Sequence, residues 1–273
     1  MVVKMDKKDI LDRYKKVEDK LLISKFFDKI DLCEKTNKIE TTDFLNELEQ
    51  TIIKKVINLA KIDNCLFFGG FEEADRKIAI VYPEKMRAIV ENGNFKYDTV
   101  FSVFRIKIPE EDVKSFNHSV YLGGIIKLGI KREKIGDIIV HSYGADVIVK
   151  KETEKFLYAN LKTLTRFKEA EVETISLSNL ESYEKKFEEI KLITSSLRLD
   201  NIVSELAKTS RNKANEILEQ ESVLVNYEQE SKSTKLVKEK DIVTIRGKGK
   251  FIIDEVAGNT KKGNYIIIVK KYA

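Results

Sequence analysis

The chain has 273 residues, of which 42% are apolar and 35% are charged. This balance is typical of a globular protein of about two domains, and it excludes a disordered or collagen-like chain. The net charge is +5, and the whole surplus lies between Ser231 and Lys250. A charge run is ordinarily a solvated face, but a surplus confined to one stretch also indicates an anionic partner.

Cysteine and histidine are too rare to suggest a disulfide framework or a metal centre. Cys33 and Cys65 lie far apart, and neither His118 nor His141 has a carboxylate or thiol at metal-ligand spacing, so we expect no metal and no cofactor. The N-terminus is charged, and no apolar run approaches the roughly 18 residues of a membrane span. We therefore expect a cytoplasmic protein without membrane contacts.

The first 70 residues have the periodicity of helices. Thr42 is a predicted N-cap for the second of two helical stretches. Each stretch has an apolar stripe at helical spacing: Ile10, Tyr14, Val17 and Leu21, then Leu45, Leu48, Ile52 and Val56. We predict a helical N-terminal domain over residues 1–70.

Residues 71–180 alternate between strand and helix patterns. Runs rich in β-branched residues predict strands at 78–81, 100–108, 138–140, 147–149 and 171–177, and helical patterns lie at 119–128 and 156–164. Such alternation favours an α/β sandwich with helices on one sheet face. We expect the aromatic residues Phe101, Phe104 and Tyr121 to pack in its core.

The polar stretch 178–189 predicts a boundary before a third domain at 190–273. Leu199, Ile202, Val203 and Leu206 form one helical stripe, and Ser210 is a good N-cap for a second short helix. Strand patterns follow at 223–226, 242–246, 251–256 and 265–269. We predict two short helices packed on a small sheet.

Cations in this third domain stand where core packing does not require them. Arg198 begins the first helix, and Arg211 and Lys213 begin the second, where free backbone N–H groups favour an anion. Cations are unfavourable for the helix dipole at this position, so a phosphate partner would explain them. Residues 246–250 (RGKGK) add three cations on a glycine-containing loop. We predict that the two neighbouring helix starts together bind a sugar-phosphate chain.

Four segments resemble the S4 RNA-binding domain in order and spacing: 196–200 (SLRLD), 210–214 (SRNKA), 223–226 (VLVN) and 241–247 (DIVTIRG). The resemblance implies RNA contacts by Arg198, Ser210, Arg211, Lys213 and Asn226. At three turn positions many members have glycine where this chain has Glu221, Tyr227 and Lys240.

Two more segments are similar to the YlmH family: 68–76 (FGGFEEADR) and 118–138, which begins HSVYLGG. Members often carry His-Arg-Asp where this chain has His-Ser-Val at 118–120, so one basic residue is absent. The family implies a helical start, an RRM-like middle domain and a C-terminal S4 domain. It also implies binding to the large ribosomal subunit in bacterial ribosome-associated quality control, beside obstructed peptidyl-tRNA.

We therefore expect an α+β multidomain protein: a helical domain at 1–70, an RRM-like α/β sandwich at 71–180 and an S4-type domain at 190–273. Its expected partners are ribosomal RNA of the large subunit and, as a further candidate, peptidyl-tRNA. We expect a monomer without a catalytic site. The candidate RNA-contacting residues are Arg198, Lys208, Ser210, Arg211, Lys213, Asn226, Lys232, Arg246, Lys248 and Lys250.

Two other functions remain open. Residues 198–200 (RLD) resemble the catalytic Arg-Leu-Asp of one pseudouridine synthase group, with Asp200 as the nucleophile of an RNA-modifying enzyme. Asn-Ile-Val follows here where that group has Thr-Ser-Gly, and an aspartate near a helix start is ordinarily structural. The N-terminal helices suggest instead a protein-binding adaptor linked to cell division.

Overall fold

The computed structural model describes residues 5–181 and 187–272. The chain divides between these two ranges into an N-terminal and a C-terminal unit. No helix within the described ranges is long and apolar enough to cross a membrane.

The N-terminal unit contains helices α1 to α6 and strands β1 to β7. The helices are α1 (Lys7–Asp12), α2 (Val17–Thr36), α3 (Glu47–Ala60), α4 (Arg87–Glu91), α5 (His118–Lys127) and α6 (Glu154–Asn160). The strands are β1 (Glu40–Thr41), β2 (Cys65–Phe68), β3 (Ile78–Val81), β4 (Phe101–Lys107), β5 (Ile135–His141), β6 (Gly144–Lys150) and β7 (Glu171–Ile175).

Two sheets pack face to face in the middle of this unit. Strands β1, β3 and β2 form one antiparallel sheet, and β5, β6, β4 and β7 form the other in that spatial order. Helices α1 to α3 cover the outer face of the first sheet, and α5 and α6 cover the outer face of the second. The apolar runs of β3 and β6 are completely buried for this reason.

The apolar layer between the sheets is made by both of them. Phe44, Ile78 and Ile80 from the first sheet and its flanking loop pack on Phe101 and other side chains of the second. The sheets approach closely at Gly136, where a Cβ atom would lie 2.7 Å from the Phe44 ring. Only glycine fits at that position without displacing the ring.

The second sheet has the element order β4-α5-β5-β6-α6-β7, and all its neighbouring strands are antiparallel. This is the β-α-β-β-α-β order of ferredoxin-like domains. The predicted strands and helices of residues 100–175 are therefore confirmed in type and order. Phe101, Phe104 and Tyr121 are buried in the core, as predicted.

A carboxylate connects the two segments that carry the YlmH resemblance. Asp137 accepts hydrogen bonds from the backbone amides of Asp75 (2.7 Å) and Arg76 (3.1 Å). The Arg76 guanidinium donates to the carbonyl oxygens of Ile135 and Phe44, both at 3.0 Å. These motif residues therefore hold the two sheets together and have a structural role.

The predicted stripe from Ile10 to Leu21 is wrong. The chain turns between α1 and α2, which leaves Val17 74% and Leu21 55% exposed. The α2 helix instead buries Ile23 and Phe26. A periodic pattern cannot register a turn of four polar or aromatic residues that changes the direction of the chain.

The predicted N-cap at Thr42 is also wrong. The α3 helix begins after Asn46, whose side chain forms a capping box with Glu49. The Thr42 hydroxyl accepts a hydrogen bond from the Ala79 amide (2.9 Å) instead. It thereby joins β1 to β3.

The C-terminal unit has two helices on one face of a six-stranded sheet. The sheet order is β10-β9-β11-β12-β13-β8, and the core is formed by the helices and the facing side chains of the sheet. The elements are β8 (Phe187–Thr194), α7 (Leu199–Ala207), α8 (Arg211–Glu219), β9 (Val223–Val225), β10 (Glu228–Gln229), β11 (Ile242–Ile245), β12 (Gly249–Asn259) and β13 (Tyr265–Tyr272). The two helices and their apolar stripes are confirmed.

Strand β8 was not predicted, because its sequence is strongly charged. It pairs with β13 at the edge of the sheet and faces the core only through residues such as Ile190 and Leu192. The polar stretch expected as a boundary therefore overlaps the start of a strand.

A buried lysine joins the two sheets of the N-terminal unit. Lys150, at the end of β6, is 5% exposed and donates hydrogen bonds to the Thr41 hydroxyl and the Thr42 carbonyl (2.8 Å). It makes no ion pair with any described residue. Burial lowers the pKa of Lys150 to about 8. Keeping it charged at pH 7 costs about 3 kcal/mol relative to the unfolded chain.

This cost predicts a specific dependence of stability on pH. Above about pH 8 the native lysine loses its proton before the unfolded one does, so the free energy of unfolding rises with pH. The free energy of unfolding of the wild-type chain should rise by about 2 kcal/mol between pH 7.5 and 9.5, and Lys150→Met should abolish this rise. Urea denaturation at each pH measures it, with the exposed Lys155→Met as control. Parallel curves for wild type and Lys150→Met would contradict the assignment.

Three turns of the C-terminal unit have strained backbones. Glu221, Tyr227 and Lys240 have φ values of 53°, 65° and 67°, in the left-handed region that favours glycine. These are the positions where many S4 domains have glycine, so the turns keep the left-handed conformation without it.

We expect Glu221→Gly and Lys240→Gly each to raise the free energy of unfolding by about 0.5–1 kcal/mol, because glycine relieves the left-handed strain. Lys238→Gly is the matched control, since Lys238 is exposed and has no positive φ. It should lower stability by a similar amount. Thermal denaturation measures the stability of all three variants. A loss of stability in every one of them would contradict backbone strain at Glu221 and Lys240.

Candidate nucleic-acid interface

A buried carboxylate organises the predicted binding residues at the two helix starts. Asp200 is 1% exposed and accepts hydrogen bonds from both Arg198 (2.9 and 3.2 Å) and Arg211 (2.7 and 3.0 Å). Burial alone would raise the pKa of Asp200, but these bonds and one from the Asn201 amide outweigh it and lower the pKa. The structure therefore brings Arg198 and Arg211 together around one negative charge.

Both guanidinium groups remain accessible. The side chains of Arg198 and Arg211 are 35% and 53% exposed, and each has an Nη1 group without a hydrogen-bond partner among the described residues. Two cations share one carboxylate, so the group carries one net positive charge. Fixed guanidinium groups with free donors are suited to phosphate.

The start of α7 does not have the free amides that were predicted. The amides of Leu199 and Asp200 donate to the carbonyl oxygens of Lys235 (2.8 Å) and Ser233 (3.1 Å). The Asn201 amide donates to the Asp200 side chain. The segment before β11 runs alongside this helix start and occupies its donors. The sequence predicted free amides at the starts of both helices, and this prediction is wrong for α7.

The start of α8 retains free donors. Ser210 is the N-cap, and its hydroxyl accepts a hydrogen bond from the Lys213 amide. The amides of Arg211 and Asn212 have no partner among the described residues. Lys208 is exposed just before this start, whereas the Lys213 ammonium is paired with Glu216 at 2.8 Å. The α8 start thus offers two amides and one adjacent exposed lysine.

Several cations of the basic stretch have no acidic partner. Lys235 pairs with Glu230 and Lys240 pairs with Asp254. Across the described residues, four other side chains make no ion pair: Lys232, Lys238, Arg246 and Lys248. These four carry the positive charge that the sequence predicted for this region.

Arg246 and Lys248 lie in the turn between β11 and β12. Gly247 and Gly249 have φ values of 74° and 127°, so the turn requires both glycines. Both basic side chains are exposed. A short turn with two exposed cations can approach a phosphate chain closely.

Lys250 and Asn226, both candidate RNA-contacting residues, make contacts within the protein that the sequence did not predict. Lys250 shares the sheet face opposite the helices and lies over the rings of Tyr227 (5.0 Å) and Tyr272 (4.4 Å). The Asn226 side chain donates to Asp241 (2.8 Å) and accepts from the Ile242 amide. Asn226 therefore stabilises its own turn.

The sheet face of the β4–β7 domain is largely covered. In RRM domains this face stacks RNA bases on aromatic side chains. Here its Phe101, Val103 and Ile148 are buried beneath Phe44 and Ile78. Stacking on these residues is therefore impossible without separating the two sheets.

A charged cluster at the uncovered end of this face was missed by sequence reasoning. Arg105 donates two hydrogen bonds to Asp146, which is completely buried (2.7 and 2.9 Å). His141 lies 3.3 Å from Asp146 and stacks on Tyr143, whose hydroxyl donates to Glu181. These residues come from β4, the β5–β6 hairpin and the end of the unit, so no sequence spacing signals their association.

Removal of the Asp200 charge should destabilise the C-terminal unit. Asp200→Asn leaves two guanidinium groups without their buried anion, and we expect a loss of about 3 kcal/mol in the free energy of unfolding. The pKa of Asp200 is lowered in the folded state, so the loss should be full at neutral pH and shrink below about pH 4. Urea denaturation of the full chain measures it.

Asp254→Asn is the matched control, because Asp254 also bridges two cations, Lys240 and Lys270, at a more exposed position. Its effect should be clearly smaller. Equal effects of the two substitutions would contradict a special role of Asp200.

Comparison with known proteins gives three similarities. A protein-family model described as "Putative RNA-binding domain in YlmH" matches residues 95–179. The Ribosome-associated protein quality control protein P2 of Bacillus subtilis (strain 168) is 28% identical over 263 residues, which cover 96% of this chain and 98% of the relative. A structure of Cell division protein ylmH from Streptococcus pneumoniae aligns with 60% of this chain and 95% of its own, with a TM-score of 0.47 and 18% identity.

The match to residues 95–179 coincides with the β4–β7 domain. The similarity to the Bacillus subtilis protein runs through both units over nearly the full length of each chain. The segments quoted from the sequence for this resemblance are the ones that Asp137 and Arg76 join in the structure. The chain is therefore similar to the YlmH family, through a family model over residues 95–179 and a relative that aligns along nearly its whole length.

Proposed function

We propose that this protein is a non-catalytic RNA-binding factor that associates with the large ribosomal subunit in the cytoplasm. In this proposal the C-terminal unit binds ribosomal RNA through the α8 start and the β11–β12 turn. Peptidyl-tRNA on the same subunit is a further proposed ligand.

The domain architecture supports this proposal. Two short helices on one face of a sheet, followed by the β9 and β11 strands, agree with an S4-type domain at 190–273. The β-α-β-β-α-β order of residues 101–175 agrees with an RRM-like domain. A helical segment at 1–70 would precede them, with β1 and β2 pairing to β3 beyond its predicted end.

The family relationship supports the ribosomal partner. The similar Bacillus subtilis protein is named for ribosome-associated protein quality control, and the family model that matches residues 95–179 is described by RNA binding. A shared role is reasonable because the similarity covers 98% of that relative. Helix starts and exposed lysines are also the groups that contact phosphates in protein–nucleic acid complexes.

One observation carries the proposal more than any other. Four exposed cations that make no ion pair among the described residues lie within one short region, at Lys232, Lys238, Arg246 and Lys248. Charge without internal compensation is free to bind phosphate and release counterions. The fixed pair Arg198 and Arg211 adds directional donors beside the free amides of α8.

The geometry at Asp200 supports a non-catalytic role. A nucleophilic aspartate must reach its substrate, but this carboxylate is 1% exposed beneath two guanidinium groups. Its oxygens accept hydrogen bonds from three residues. We therefore propose that Asp200 positions the arginines and does not attack a base.

Co-sedimentation with purified bacterial large ribosomal subunits tests the proposal. We expect Arg246→Gln/Lys248→Gln to weaken binding about fivefold to tenfold and to reduce the slope of log affinity against log salt by about 1–2. Both side chains are exposed and make no ion pair with any residue that the structure describes, so their loss should leave the fold intact.

Lys261→Gln/Lys262→Gln is the matched control, because it removes the same charge from the exposed β12–β13 turn of the same unit. We expect less than about a twofold effect from it. The proposal fails if the wild-type chain does not sediment with subunits at low salt. It also fails if the two double variants weaken binding equally.

A further inference from the structure

The N-terminal unit contains a cavity that the RNA-binding surface does not use. It has a volume of about 680 Å³, within the size range of small-molecule sites. Its walls come from the β1 region (residues 37–41), the segment before α4 (Lys85 and Met86), the loop before β4, and the end of β6.

The carboxylates that line this cavity have cationic partners in the protein. Glu40 pairs with Lys29 at 3.1 Å, and Glu152 shares Lys134 with Asp43, each at 2.6 Å. Lys151 pairs with Glu154. Each carboxylate that lines the cavity therefore has a cation beside it.

Three cations remain without an ion pair among the described residues. Lys38 and Lys85 are exposed and line the cavity. Lys150 is 95% buried in its wall, where it donates only to the Thr41 hydroxyl and the Thr42 carbonyl. A buried ammonium kept without a carboxylate partner favours an anion in the adjoining space.

The remaining walls suit a planar apolar group. Phe95, Met86, Ile39 and Val100 line the cavity. Phe95 is half-buried and packs edge-on against Tyr97 at 5.0 Å, which holds its ring in place. A fixed aromatic ring beside exposed lysines is the combination that binds single nucleotides, with stacking for the base and cations for the phosphate.

We propose that this cavity binds a nucleotide, with its base against Phe95 and Met86 and its phosphate near Lys38, Lys85 and Lys150. The proposal rests on the proposed RNA-binding function for one of its two sources, an unpaired nucleotide of an RNA chain. The other source is a free mononucleotide, and both have the same chemistry.

Equilibrium dialysis of the full chain with radiolabelled AMP and with hexaadenylate tests this inference. The chain carries Arg246→Gln/Lys248→Gln to weaken the C-terminal surface, so that binding there does not mask the cavity. We expect Lys38→Gln/Lys85→Gln to weaken AMP binding at least about fivefold, and Phe95→Ala to weaken it by a similar factor. Adenosine, which lacks the phosphate, should compete poorly.

Lys114→Gln/Lys162→Gln is the matched control, because it removes two exposed lysines that do not line the cavity. Binding of hexaadenylate at least about tenfold tighter than AMP identifies an RNA nucleotide as the source, and equal affinities identify a free nucleotide. The inference is overturned if neither probe binds at millimolar concentration. It is also overturned if the cavity variants bind both probes as well as the control does.

These results are independent of the ribosomal experiment. Loss of subunit binding with intact AMP binding would reject the proposed function alone. Intact subunit binding, together with AMP binding that is unchanged by substitution of Lys38, Lys85 or Phe95, would reject the proposed nucleotide site alone.

Discussion

The arrangement of the two arginines at the helix starts of the C-terminal unit depends on one buried carboxylate. Asp200 accepts hydrogen bonds from Arg198 and Arg211, which come from the starts of different helices. A single aspartate therefore both positions two guanidinium groups and cancels half of their charge. On the surface of this unit the arginines would supply direction. Lys232, Arg246 and Lys248, which make no ion pair within the described part of the chain, would supply most of the attraction.

The N-terminal unit directs binding away from its sheets. Both sheets are largely buried on both faces, and Phe44 and Ile78 cover much of the side of the second sheet that RRM domains use for bases. Any nucleotide must then be bound at the periphery, in loops and cavities. The cavity lined by Phe95 and Lys85 lies at such a position.

Sequence patterns correctly predicted elements that bury a regular apolar stripe of their own. The stripe of Leu199 to Leu206 predicted α7 correctly because a short amphipathic helix buries one face. Strand β8 was missed because it lies at the edge of the sheet and buries few apolar residues. Its charged sequence resembles that of a linker. The stripe through Val17 and Leu21 failed because a turn separates two helices there.

The candidate site was predictable in its residue types and less so in its contacts. The basic stretch was visible as charge, and its exposed lysines follow from that. The occupied amides of α7 were not predictable, because their acceptors are carbonyl oxygens about 35 residues later in the chain. The hydrogen bond that the Arg76 amide donates to Asp137 likewise joins residues far apart in sequence. Whether the ten candidate residues touch RNA stays a prediction.

Ultraviolet crosslinking of the full chain to large ribosomal subunits, with mass-spectrometric mapping of the crosslinked peptides, tests the central claim most directly. We expect RNA adducts on peptides that contain residues 208–213 and 246–250. Adducts confined to peptides from residues 5–181, or to the β12–β13 turn, would contradict an RNA interface at the α8 start.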